Sequence, residues 1–134
     1  MTRKFKQSKL TPSKIEKLNS LELCPKLRTI LNDAIIGWSK PNVKIANLGF
    51  GIDLRNPLVF DYDSDGAGCC LLGATRIDQK KINGFLDLDV VNTYDLDFET
   101  FHSITKIFDY IDSPVAEYQK QVAQIRDIVF EEEC

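Results

Sequence analysis

Three aspartates at alternate positions and a glycine, Asp61, Asp63, Asp65 and Gly66, form the pattern in this chain that comes closest to a known chemistry. Carboxylates so spaced suit a hard divalent cation that takes about six to eight oxygens, and the glycine permits the sharp turn of an EF-hand-type calcium loop. The second half of such a loop is missing. Its twelfth position, where a bidentate glutamate closes the site, is Leu72, and its eighth is Gly68. Asp61, Asp63 and Asp65 are therefore candidate ligands of a weak metal site, set against an acidic turn whose carboxylates cap the helix that follows.

Cys69 and Cys70 stand near the start of that expected helix, where the helix dipole lowers a thiol pKa and makes the sulfur nucleophilic. The aspartates just upstream push the thiol the other way, and no Cys-x-x-Cys pair exists. A buried pair of small residues packing a helix is the simpler reading. The one histidine, His102, sits beside Phe101 without a second nitrogen or thiol nearby in sequence, which argues against zinc. Asp87, Asp89, Asp95, Asp97 and Glu99 form an acidic group with nothing to set their separation for acid and base work. The stretch LGFGIDLRN is a bare G-x-G, and no G-x-S-x-G occurs. No catalytic residue and no cofactor are expected.

Charge is distributed unevenly. Residues 1–50 hold ten Lys/Arg against three Asp/Glu, and residues 51–134 hold seven against seventeen, so a formal net charge of −3 hides halves of +7 and −10. Arg3, Lys4, Lys6, Lys9, Lys14 and Lys17 make a basic end that is the candidate protein-binding surface, suited to an acidic partner or to the acidic half of a second copy. The same residues would contact phosphates if the chain bound nucleic acid, a reading opposed by a pI near 5.2.

The elements that must position these groups follow from periodicity. Residues 1–9 show no pattern and read as a mobile basic tail ahead of a single globular domain, 10–134. Thr11 and Pro12 open a short helix to about Ser20. Pro25 opens a second, with Leu27, Ile30, Leu31, Ala34, Ile35 and Trp38 on one stripe. The period then falls to two through Leu48, Phe50, Ile52 and Leu54 and again through Leu58, Phe60 and Tyr62, which predicts a small β-hairpin. A central helix capped by Asp65 or Gly66 follows, carrying Cys70, Gly73, Ala74 and Ile77. Residues 85–91 fit a strand or the entry to a helix. Asp97 caps a helix from Phe98 to Ile111, and a last helix after Pro114 carries Val115, Tyr118, Val122, Ile125 and Val129. The acidic turn leading into Cys-Leu-Leu-Gly-Ala and then an aromatic-rich helix resembles a pattern in short bacterial and phage proteins, and it implies no activity.

At 134 residues, 43% apolar and 28% charged, the chain is long enough to bury a core without staples and too mixed to be disordered. No apolar run reaches the length of a membrane helix or a secretory signal, so a cytoplasmic protein with reduced cysteines is expected. The expected fold is α+β, mainly α, of about five helices with a small β-hairpin. The expected function is non-catalytic protein binding, as a small regulator or inhibitor. The alternatives are a small enzyme or metal-binding protein using Asp61, Asp63, Asp65 and Cys69, and a nucleic-acid-binding accessory protein using the basic arm.

Overall fold

Thr11 and Pro12 start the first helix by complementary means: the Thr11 Oγ1 accepts from the Lys14 N–H at 3.2 Å, and proline occupies the first turn, where a missing N–H costs nothing. Helix α1 (Pro12–Asn19) and helix α2 (Pro25–Trp38) both begin on a proline. The structure is a computed structural model and describes residues 7–40, 43–46, 67–77, 86–108, 110 and 116–131. The protein is mainly helical, with α3 (Leu71–Ile77), α4 (Leu86–Tyr94), α5 (Phe98–Phe108) and α6 (Ala116–Val129) following.

Among the described residues there are three short strands, β1 (Gln7–Ser8), β2 (Val43–Ala46) and β3 (Ala67–Cys69), in the order β1-β2-β3. Strand β1 runs antiparallel to β2 with Gln7 opposite Ala46, and β3 runs parallel to β2 with Val43 opposite Ala67. Val43 and Ile45 are fully buried and Lys44 between them is partly exposed, the alternation a strand lying on a core requires.

Three expectations are corrected. Gln7 and Ser8 belong to a strand and not to a free tail; residues 1–6 lie outside the described residues. Cys69 ends β3 and is not helical, and α3 begins at Leu71, so the position before it is not Asp65 or Gly66. That position falls to Cys70, whose carbonyl accepts from Ala74 N at 2.9 Å and whose sulfur accepts from Gly73 N at 3.5 Å. Of the two readings open for residues 85–91 the helical one holds, since Leu86–Tyr94 is helix α4. Helix α5 ends at Phe108, beyond which Tyr110 takes a left-handed φ of 65°. The predicted hairpin over 48–62 lies outside the described residues, and the described strands pair with partners distant in sequence.

One hydrophobic cluster draws residues from each of the six described helices and from β2. Trp38 stacks on Phe108 with centroids 6.2 Å apart, and Phe108 meets Phe130 at 5.3 Å, so an aromatic chain joins α2, α5 and the end of α6. Each large aliphatic or aromatic side chain so buried contributes at most about 1.5–3 kcal/mol. Helix α3 is the central one: Cys70 through Thr75 are all buried, and its largest helix contact is with α2. Little side-chain volume stands at Ala34, Gly37, Gly73 and Ala74, which lets helices approach closely.

Candidate functional site

Four basic side chains are used on backbone oxygens within the fold, and a fifth on a carboxylate beside one of them. Helix C-termini leave carbonyls without intrahelical partners and carry partial negative charge, so a cation there is favourable. Lys14 donates to Val129 O at 3.0 Å, at the end of α6. Arg28 donates to Leu18 O at 3.2 Å and to Leu21 O, at the end of α1. Lys26 donates to Asp95 O at 2.7 Å, just past α4, and Arg126 to Ile107 O at 3.0 Å, in the last turn of α5. Lys17 pairs with Glu131 at 2.6 Å across the same α1 and α6 ends. Sequence reasoning missed this use, because each oxygen belongs to a helix end that only the tertiary fold brings near.

These contacts relocate part of the expected basic surface. Lys14 is only 3% exposed, and Lys17 is engaged with Glu131. Lys9 is exposed, while Arg3, Lys4 and Lys6 lie outside the described residues, as do Asp61, Asp63 and Asp65. Cys69 is described only as the end of β3. Among the described residues, no group of three or more His, Cys, Asp or Glu is placed to hold a metal ion. His102 is exposed on α5 with its ring edge-on to Phe101 at 5.5 Å.

An open cleft of about 650 Å³ lies where α2 begins and α4 ends, lined by Cys24 to Lys26, Thr29, Thr93 to Asp95 and Tyr118. The sequence gives each wall its form. Pro25 sets the start of α2 and leaves Cys24 at its N-cap, with the Cys24 N–H donating to Gln121 Oε1 at 2.7 Å. Opposite, Asp95 takes φ 52° and Leu96 N donates to Val91 O at 3.0 Å, a Schellman-type stop that turns the chain out of α4. Tyr94 is fixed by its hydroxyl on Asp33 Oδ2 at 2.5 Å, tying α4 to α2. Two residues later Asp97 caps α5 by accepting from Thr100 N at 2.7 Å, and that bond, with the Thr100 hydroxyl and nearby Lys26, holds its carboxyl below the ordinary aspartate range.

Chemically the cleft offers a half-buried thiol, hydroxyls and an ammonium that is already bonded to a carbonyl. No histidine lines it. A recess with that lining suits a side chain laid into it better than a bond-breaking reaction.

The cleft continues onto the outer face of α2. Pro25, Thr29, Asn32 and Ile36 are its exposed residues, spaced four, three and four apart and so on one face, and none is charged. Ile36 is 48% exposed. The exposed positions of α1 include Glu16 and Lys17, those of α5 Glu99 and Lys106, and those of α6 Lys120 and Asp127. Comparison with protein-family models, with curated proteins and with solved structures finds no match.

Proposed function

We propose that this protein is a non-catalytic protein-binding module whose contact face is the uncharged outer strip of α2 with the cleft at its N-terminal end. The observation that carries this reading is the absence of charge along Pro25, Thr29, Asn32 and Ile36 in a chain whose α1, α5 and α6 all present charged residues to solvent. Interface cores are depleted of charge relative to the rest of a protein surface, and an exposed isoleucine beside a recess supplies the anchor such a core needs. The partner is another protein. A preference for an acidic one rests on Arg3, Lys4, Lys6 and Lys9, since Lys14 and Lys17 are bound within the fold.

Affinity capture with tagged wild-type protein and with the Ile36→Asp variant, in the native host, tests the reading. Both baits should show the same helical circular dichroism and thermal midpoint, because Ile36 is on the outer face. A partner recovered in stoichiometric amount by the wild type should bind the variant at least about tenfold more weakly, a loss of about 1.4 kcal/mol. Equal binding to both baits overturns the assignment of this face.

A further inference from the structure

The exposed strip of α2 carries a projection at one end and a recess at the other. Ile36, half-exposed, stands near its C-terminal end, and the cleft opens beside Pro25 and Thr29 at its N-terminal end. The two ends are three helical turns apart, about 16 Å along one side of the helix. A surface of this form is complementary to itself. Turned end for end, a second α2 lays its Ile36 against the first copy's cleft and receives the first Ile36 in its own.

The charges beside the strip repeat this symmetry. Lys26 and Asp33 stand two turns apart on the flank of α2 that faces α4. Lys26 Nζ donates to Asp95 O at 2.7 Å and Asp33 Oδ2 accepts from the Tyr94 hydroxyl at 2.5 Å, so both side chains are held on the cleft side. Both are partly exposed, and an ammonium with three N–H groups and a carboxylate with two oxygens keep capacity beyond those bonds. Arg28, on the opposite flank, is turned to the end of α1, where it donates to Leu18 O and Leu21 O. A twofold axis across the helices brings like flanks together with their directions reversed, so the order plus-then-minus meets minus-then-plus. With Ile36 level with Pro25 of the second copy, Asn32 falls level with its Thr29, and Lys26 comes within about 3 Å along the axis of its Asp33. Parallel alignment instead sets Ile36 against Ile36 and fills neither cleft.

We propose that α2 pairs antiparallel with α2 of a second copy of this chain, held by Ile36 in each cleft and by two Lys26–Asp33 ion pairs. The inference rests on the reading of this strip as a contact face and names its occupant in the protein alone: the second copy covers the strip until another protein displaces it. One helix face a side is a small interface, and exposed ion pairs are screened by salt, so the dimer dissociates at about 1–100 μM.

Sedimentation of the full chain at low salt, from about 1 μM to 1 mM, should show a monomer–dimer equilibrium that Ile36→Asp weakens at least about tenfold. Lys26→Asp and Asp33→Lys, each alone, set like charges across the twofold axis and should each weaken it at least about fivefold. Mixed in equal amounts, the two variants should dimerise again, one chain of each, because a chain with two acids then meets a chain with two lysines. Ile36→Asp, on the outer face, carries the test should a charge variant lose its helical circular dichroism. A chain that stays monomeric at every concentration overturns the proposal and leaves the capture experiment above standing. A dimer indifferent to Ile36→Asp, or a mixture of folded charge variants no tighter than its components, overturns the antiparallel pairing. Equal capture by the wild-type and Ile36→Asp baits removes the foreign partner and not the dimer.

Discussion

Single side chains at helix ends do much of the local work in this protein, and they divide by charge. Thr11 and Asp97 accept from N–H groups at helix starts, while Lys14, Arg28 and Arg126 donate to carbonyls at the far ends. Asp97 makes a testable case. Its carboxyl is held below the ordinary value of 3.8, chiefly by the Thr100 N–H, so the folded chain binds its proton less readily than the unfolded one. The stability it contributes is present above that value and is lost as pH falls through the lower, folded one. Asp97→Ala should lower the thermal midpoint at pH 7 by about 2–4 °C, and the gap from wild type should close as pH falls through that lowered value. Asp97→Asn keeps the acceptor without the titration and should stay near the wild-type midpoint at neutral pH. A gap for Asp97→Ala that is constant across that range would refute the charge-assisted cap. Asp97 and Thr11 were legible as caps from sequence because a cap acts within three residues. Lys14 was not, since Val129 lies 115 positions away.

At the scale of elements, the helical stripes were read from spacing because every buried position recurs on one face. Leu27, Ile30, Leu31, Ala34 and Trp38 of α2 are buried, as are Phe101, Ile104, Ile107 and Phe108 of α5 and Tyr118, Val122, Ile125 and Val129 of α6. Phe98, placed on the α5 stripe by the same spacing, is 50% exposed, since the first turn of a helix projects past the neighbours that cover its middle. Residues 85–91 fitted two periods at once, and Val90, Val91 and Tyr94 decide for a helix by being buried together. Helix α3 was expected to be central and small-featured, and its packing predicts a penalty for added volume. Ala74 is fully buried, so Ala74→Leu should cost about 1–3 kcal/mol in urea unfolding. An unchanged unfolding midpoint would mean that α3 has room beside it.

Across the molecule, the aromatic chain from Trp38 through Phe108 to Phe130 links helices that are far apart in sequence. Phe108 is its middle member and is fully buried, so Phe108→Ala should remove about 3–5 kcal/mol, a large share of the roughly 5–15 kcal/mol that holds an ordinary domain together. If the chain acts as one unit, the fall in Trp38 fluorescence and the loss of helical circular dichroism should shift together. Separate transitions would show that α2 unfolds independently of α5 and α6. The charge halves of +7 and −10 also acquire a structural meaning at this scale, because α1 and α2 in the basic half send Lys14, Lys17 and Lys26 to oxygens at the ends of α4 and α6 in the acidic half.

The sequence by itself determined that this chain is mainly helical, where three of its helices begin, and which of their faces are buried. Those properties depend on hydrophobic period and on caps that act within one turn. Only the tertiary structure decided the rest. Strand β2 is four residues long and pairs with Gln7–Ser8 and Ala67–Cys69, so its partners cannot be seen in any local window. The cleft forms between α2 and α4, and the uncharged face of α2 gains meaning only when the outer faces of α1, α5 and α6 are known to carry charge. A lysine in a sequence reads as surface charge by default. Burial at the end of another helix turns Lys14 into a structural donor, because carbonyls left over by that helix must find a partner when water is excluded.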